Sequence, residues 1–273
     1  MREKSHFKNL FSHRSLLEES IKLLEWDNLK MQLSSFASTN MGRNAILEFE
    51  IPTEYEISKR LLQETIEIND LEKNLDKSLS FSGVFDIKKN IETCSKGGVI
   101  TSYDLLEIAE TIYVARDFKK VLLDFEKRPF ISSFINRLID HNQIEKTLKI
   151  GIESNGRVSD RASAKLANLR QELLSKKLER RILVDMFIKK NMNFLQDITI
   201  GDRYGRPVLA VKVQFAEKFK GIIHDSSASG NTLYLEPESI VLKGNIIASL
   251  EAKVAGEEFK LLKEWSQIIR DND

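Results

Sequence analysis

Apolar residues recur at three- and four-residue intervals along most of the chain, the period of an amphipathic helix. Leu16, Leu17, Ile21, Leu24 and Trp26 open the series, and Leu29, Met31, Leu33 and Phe36 follow. Pro52 interrupts it, and Thr53 with Glu56 reads as a capping box. From there the spacing of Ile57, Leu61, Leu62, Ile66 and Ile68 predicts a helix from about Glu54 to Leu75. Ser78 to Asp86, with Gly83, reads as a loop, and Lys96-Gly97-Gly98 as a turn. Thr101 and Asp104 then cap a second long helix, with Leu105, Ile108, Ile112, Ala115 and Phe118 on its inner face. Pro129 starts a short helix that turns Phe130, Phe134 and Leu138 inward.

The second half changes character. Ser163 is an N-cap for a helix from Ala164 to about Asn191, roughly 42 Å long at 1.5 Å per residue. Its apolar positions Leu166, Leu169, Leu173, Leu183 and Phe187 form a narrow seam, interrupted by Lys176 and Arg180. Ile247, Leu250, Val254, Leu261, Trp265 and Ile268 make a similar seam near the C-terminus. Seams of that width suit coiled-coil arms. Between Phe194 and Gly244 the period shortens to two, through Val208, Ala210 and Val213, Gly221-Ile222-Ile223 and Thr232-Leu233-Tyr234-Leu235. Gly201-Asp202-Arg203-Tyr204-Gly205 and Ala228-Ser229-Gly230-Asn231 are turn sequences. The expectation is a mostly α protein. A multi-helix first part (1–150) precedes an outgoing arm (151–193), a β-rich segment (194–245) and a returning arm (246–273). Three or four antiparallel strands would sit at the tip of an antiparallel helix pair.

Composition narrows the class. The 273 residues carry 42 Lys+Arg against 41 Asp+Glu, a net charge of +1, so the bulk charge points to no polyanionic partner. No apolar run approaches the ~18 residues of a membrane span, and Met1 to Phe11 is polar and basic, without a signal-peptide core. Cys94 is the one cysteine, which excludes a disulfide framework and favours a reducing, cytoplasmic setting; it reads as a small core residue.

The charge is unevenly spread. From Arg161 to Lys190 nine bases (Arg161, Lys165, Arg170, Lys176, Lys177, Arg180, Arg181, Lys189, Lys190) face three acids, a balance of +6. The returning arm has four bases against six acids, a balance of −2. Arm-to-arm ion pairs absorb part of the difference and leave about four positive charges, an electrostatic footprint for phosphates. A solvated helical face is the plain alternative. The β-rich segment is neutral, with Arg203, Arg206, Lys212, Lys218, Lys220 and Lys243 against six acids. Arg203 and Arg206 nevertheless flank Tyr204, and Lys218 and Lys220 flank Phe219. A basic residue beside an aromatic at a loop tip can touch phosphate and stack on a base, although an ordinary polar turn has the same composition.

Catalytic chemistry is not apparent. His224-Asp225-Ser226-Ser227-Ala228-Ser229-Gly230 holds a base, an acid and hydroxyls, but neighbours on a strand point to opposite faces. A turn whose Asp and Ser side chains satisfy backbone groups is the better reading. His6, His13, His141 and His224 are scattered, and no H-E-x-x-H, C-x-x-C or G-x-x-x-x-G-K-[ST] occurs. The chain alone reads as no enzyme, with no catalytic residue, no metal and no cofactor of its own.

The run Gly221-Ile-Ile-His224-Asp225-Ser-Ser227-Ala-Ser229-Gly230-Asn-Thr232-Leu-Tyr-Leu-Glu236-Pro237 resembles the G-I-V-H-D-x-S-x-S-G-x-T-x-x-x-E-P signature of the bacterial MutS family II proteins, MutS paralogues without the mismatch-recognition domain. Gly156-Arg-Val-Ser-Asp160 with Ala162-Ser163 resembles the entry to the family's lever helix, and Gly205-Arg206, Val208 and Val211-Lys212 its following strand. Leu195-Gln196-Asp197, Glu64-Thr65 with Glu67, Asp86-Ile87, Gly97-Gly98 and Leu105-Leu106 fit as well. The similarity covers about residues 15–270. Pro207 stands where the family usually has an aromatic, Ala210 where it has Pro, and Lys243-Gly244-Asn245 departs from its Asn-Asn pair.

The resemblance implies a core domain, a lever pair and a clamp closing on nucleic acid. It makes the chain an N-terminal fragment that stops inside its returning helix. Family members continue into an ATPase domain, which brings ATP and Mg²⁺, and usually into a Smr nuclease domain; they act as homodimers. They bind branched DNA, suppress recombination and rescue collided ribosomes. The expected ligand is DNA, branched or duplex, held without sequence preference by Lys176, Lys177, Arg180, Arg181, Arg203, Arg206, Lys212, Lys218 and Lys220. The alternative is a scaffold on the ribosome and its rRNA; a hydrolase centred on His224 and Ser226 is a weaker third.

Overall fold

A computed structural model describes residues 19–75, 79–122 and 128–272. The sequence readings at Leu16, Leu17 and Ser78, and those on Met1–Phe11, His6 and His13, lie outside the described residues. The chain divides into two compact units. One covers the sequence to Lys149 with Ser154–Gly156 and the residues from Trp265 onward; the other covers Ile150–Glu153 and Arg157–Glu264.

The first unit is helical: α1 (Trp26–Ser34), α2 (Asn40–Leu47), α3 (Tyr55–Asn74), α4 (Lys88–Ser95), α5 (Ser102–Leu122), α6 (Pro129–Ile135) and α7 (Asn142–Gly151), the last ending in the other unit's residues. Side chains set several of the starts. Thr39 Oγ1 accepts from Gly42 N at 3.0 Å to cap α2. Asp104 Oδ2 accepts from both the backbone N and the hydroxyl of Thr101, and Thr101 Oγ1 accepts from Asp104 N, so the expected capping box at α5 is formed. The expected box at Thr53 and Glu56 is not: α3 starts behind Glu54, whose side chain caps nothing. Glu67 on α3 instead caps α6, its Oε2 accepting from Phe130 N and Ile131 N at 3.0 and 3.1 Å. That cap aims Ile131 and Ile135 at Leu71, and this cluster is the core beneath α3 and α6. Phe134, expected inside, faces out, as do Ile57, Leu62, Ile66 and Ile68. On α5 the buried positions are Leu105, Ile108, Ala109 and Val114; Ile112, Ala115 and Phe118 are half-buried. Cys94 is buried.

The second unit holds α8 (Ala164–Asn191), β1 (Leu195–Arg203), β2 (Arg206–Lys212), β3 (Gly221–Ser226), β4 (Thr232–Pro237) and α9 (Glu238–Arg270), whose residues from Trp265 count with the first unit. Ser163 caps α8 as its sequence predicts, accepting from Leu166 N. The four strands form one antiparallel sheet in the order β1-β2-β4-β3. β2 is central, and Val208, Leu209 and Val211 are fully buried. Leu195, Leu209, Val211 and Leu235 pack with Val184 of α8 and Ile240 of α9, flanked by Phe187, Ile188 and Phe219. The mostly α architecture with a small antiparallel sheet after a helical core is therefore the one read from the periodicity.

Three details differ. Val184, not the half-buried Leu183, is the buried anchor of α8 toward the sheet. α9 begins at Glu238, eight residues before Ile246, because Pro237 ends the strand and Ile240 packs beneath the sheet. Ile269, rather than Ile268, is the buried residue near the end of α9.

Candidate nucleic-acid interface

Ion pairs join α8 and α9 in antiparallel order. Lys165 meets Glu257 at 2.7 Å, Arg170 meets Glu258 at 2.5 Å, Lys177 meets Glu251 at 2.7 Å and Lys243 meets Glu179 at 2.5 Å. Glu257 fills the seven-residue gap in the α9 seam between Val254 and Leu261. It is buried, accepts from Lys165 and from Ser163 Oγ, and is held below the usual carboxylate range chiefly by Lys165. Glu179 takes Lys176 at 2.7 Å as well as Lys243; these hydrogen bonds, Lys176 first, pull its carboxyl down to about 2.

Lys176 and Lys177, two of the expected phosphate contacts, are thus committed to acids within the helix pair. Arg180, Arg181, Lys189 and Lys190 differ: among the described residues the side chain of none of the four makes a hydrogen bond or an ion pair. The positive excess of α8 therefore collects from Arg180 onward, where Asp185 is the single acid of the helix.

The sheet separates the other candidates. Arg206 stands at one end of β2 and Lys212 at the other, about 20 Å apart at 3.3 Å per residue. Arg206 is turned inward. Its Nη1 lies 3.4 Å from Glu236 Oε1, and its Nη2 donates to Asn245 Oδ1 at 2.8 Å. Lys220 lies near this same end, since Gly221 pairs with Pro237. Arg203 pairs with Asp225 at 3.3 Å, its guanidinium 4.6 Å from the centre of the Tyr234 ring. At the Lys212 end, Lys212 Nζ donates to Asn193 O at 3.2 Å. Lys218 Nζ sits 4.6 Å from the centre of the Phe194 ring and 5.2 Å from that of Phe215. Phe219 is no loop-tip aromatic: it packs on Phe187 and Phe194. The structure gathers Lys212 and Lys218 beside the last turn of α8, which carries Lys189 and Lys190, and sets Arg203, Arg206 and Lys220 apart from them. Lys189 and Lys190 were visible in the sequence only as part of the arm's charge.

Nine positions of the signature string have a structural role in the sheet. A Cβ on Gly221 would lie 2.3 Å from Glu236 O, so β3 approaches β4 closely only with glycine there. The ladder slips between Ile223 and Asp225, a bulge at His224. His224 Nε2 meets Glu236 Oε2 at 2.9 Å, and Glu236 is fully buried between His224 and Arg206. Asp225 pairs with Arg203 and accepts from Ser226 N. Ser227 Oγ accepts from Thr232 N at 3.1 Å and lies 3.4 Å from Ser229 Oγ, while Gly230 takes a positive φ of 71° in the turn. Thr232 and Pro237 are buried at the two ends of β4. The residues of the string hold the sheet together, and His224 is spent on Glu236. Among the described residues no group of His, Cys, Asp and Glu could hold a metal ion, and no helix is long and apolar enough to cross a membrane.

No family model matches the chain. Curated relatives do. The protein named Endonuclease MutS2 of Synechocystis sp. is 31% identical over 252 residues, 92% of this chain and 31% of that protein. Those of the same name from Halalkalibacterium halodurans and Symbiobacterium thermophilum are 29% and 28% identical, over 94% and 92% of this chain. The chain spans about a third of the length of these relatives. Their similarity along nine-tenths of the chain bears out the resemblance carried by the signature string.

Proposed function

We propose, on the premise that this chain is a segment of MutS family II, that its second unit binds nucleic acid through phosphates and without reading sequence. In this reading α8 and α9 are the lever pair, and the sheet is the clamp they carry. The observation that supports it most is the sorting of charge along α8, whose paired cations give way to Arg180, Arg181, Lys189 and Lys190. Lys212 and Lys218 add to the same end. Cations of this kind gain more from a phosphate than those already holding a carboxylate, because no ion pair has to break. DNA, branched or duplex, is the proposed ligand, in keeping with a part in recombination or repair in the cytoplasm. The endonuclease activity in the relatives' name, ATP with Mg²⁺, and homodimer formation are proposed for the longer protein, and no group in residues 19–272 is assigned to them.

Binding of the 273-residue chain to labelled linear and branched duplex, at about 50 and 200 mM salt, tests this. With four phosphate contacts the slope of about −0.9 per contact predicts a loss of roughly a hundredfold across that range. Charge reversal of Lys189 and Lys190 should weaken binding far more than charge reversal of Lys165 and Lys177. Equal losses from the two pairs, or no binding to either DNA, would overturn the proposal. Sedimentation with ribosomes but no binding to DNA would transfer the same cations to rRNA.

A further inference from the structure

β1 and β2 are joined by two residues, Tyr204 and Gly205, with φ of 54° and 76°. A two-residue hairpin loop with both φ positive is the type I′ turn, for which Asn-Gly and Gly-Gly are the favoured pairs. Asp202 Oδ1 accepts from Gly205 N at 3.1 Å and closes the loop. Gly205 suits its place; Tyr204 does not. A bulky L-residue enters the left-handed region only with strain, and such strain persists where something other than folding selects the residue. Packing does not select it, because Tyr204 is 96% exposed, more than any other large apolar or aromatic residue described. Among the described residues the ring makes no contact with another aromatic ring or with a cation. The adjacent Arg203 brings a guanidinium to the same hairpin end.

The geometry points to Tyr204 as a stacking residue for an unpaired nucleobase, with Arg203 placed to meet the neighbouring phosphate. This inference rests on the nucleic-acid reading above and sharpens it: the clamp would distinguish a site with unstacked bases from continuous duplex. An aromatic ring held out on a two-residue turn has little freedom to fold back, so stacking loses little conformational entropy. Every base offers a face for it, which keeps the contact independent of sequence. Arg203 can exchange Asp225 for phosphate at small cost, since the pair is partly exposed.

The test compares the full chain with its Tyr204→Asn and Tyr204→Trp variants. The probes are a continuous duplex and the same duplex carrying a short unpaired bulge with 2-aminopurine in it. Tyr204→Asn should melt no lower than the parent, because Asn-Gly fits the turn. It should bind the bulged probe about tenfold more weakly, within the range of base–aromatic stacking, and the continuous duplex equally well. The parent and Tyr204→Trp should quench 2-aminopurine fluorescence, and Tyr204→Asn should not. If all three proteins bind both probes alike, the stacking role falls and phosphate binding stands. If the parent binds neither probe, both fall together.

Discussion

At the scale of single residues, the decisive contact is the buried carboxylate of Glu236. It sits between Arg206 and His224, with Gly244 against its Oε1. Replacing it with alanine leaves a guanidinium and an imidazole without their shared acceptor in the sheet. Arg206 keeps Asn245 as an acceptor, so the loss is that of a buried hydrogen-bond acceptor to two donors, about 1–3 kcal/mol. Urea unfolding of Glu236→Ala should show that loss with native-like secondary structure retained below the midpoint; a change under ~1 kcal/mol would mean water already serves these groups. Gly244→Ala tests the same site by volume. Its added Cβ would lie 2.4 Å from Arg206 Nη1 and 3.2 Å from Glu236 Oε1. The flexible guanidinium end can yield, and replacing a glycine inside α9 regains about 1 kcal/mol of helix propensity, so Gly244→Ala should change stability far less than Glu236→Ala.

At the scale of elements, α8 and α9 are joined by charge as much as by their narrow seam. Glu179, with its carboxyl held near 2 by Lys176 and Lys243, gives this a pH signature. A carboxylate whose folded pKa lies below its unfolded value of 4.5 adds stability above about that pH. The contribution is lost as pH falls from there toward 2. The melting temperatures of the parent chain and Glu179→Gln should therefore differ most at neutral pH and converge by about pH 2–3. A gap that stays constant over that range would rule out the carboxylate as its source.

Elements of this kind were only partly legible in the sequence. The 28 residues of α8, its Ser163 cap, the Thr101–Asp104 box and the change to period two at the sheet all follow from local chemistry, and local chemistry is what spacing records. The outward turn of Ile66 and Phe134 does not, because an apolar stripe shows that a face exists without showing what covers it. Nor could spacing reveal that Glu67 caps a helix more than sixty residues on, or that Arg206 faces inward. Both depend on long-range pairing, and a basic residue next to a turn looks the same in sequence whether it meets phosphate or a buried carboxylate.

At the scale of the whole molecule, a net charge of +1 conceals a gradient along a single helix, and the candidate contacts divide between the two ends of one strand. Arg206 and Lys212 mark those ends, about 20 Å apart. Duplex DNA advances 3.4 Å per base pair, so the same distance is about six base pairs. This sets a footprint. A ligand shorter than that can occupy the Tyr204 end or the Lys212 end but cannot bridge them. Affinity measured against a ladder of duplex lengths should therefore rise in a step near six to eight base pairs instead of growing smoothly with charge. The shortest oligonucleotide past the step would be the smallest piece of nucleic acid that this sheet can measure from end to end.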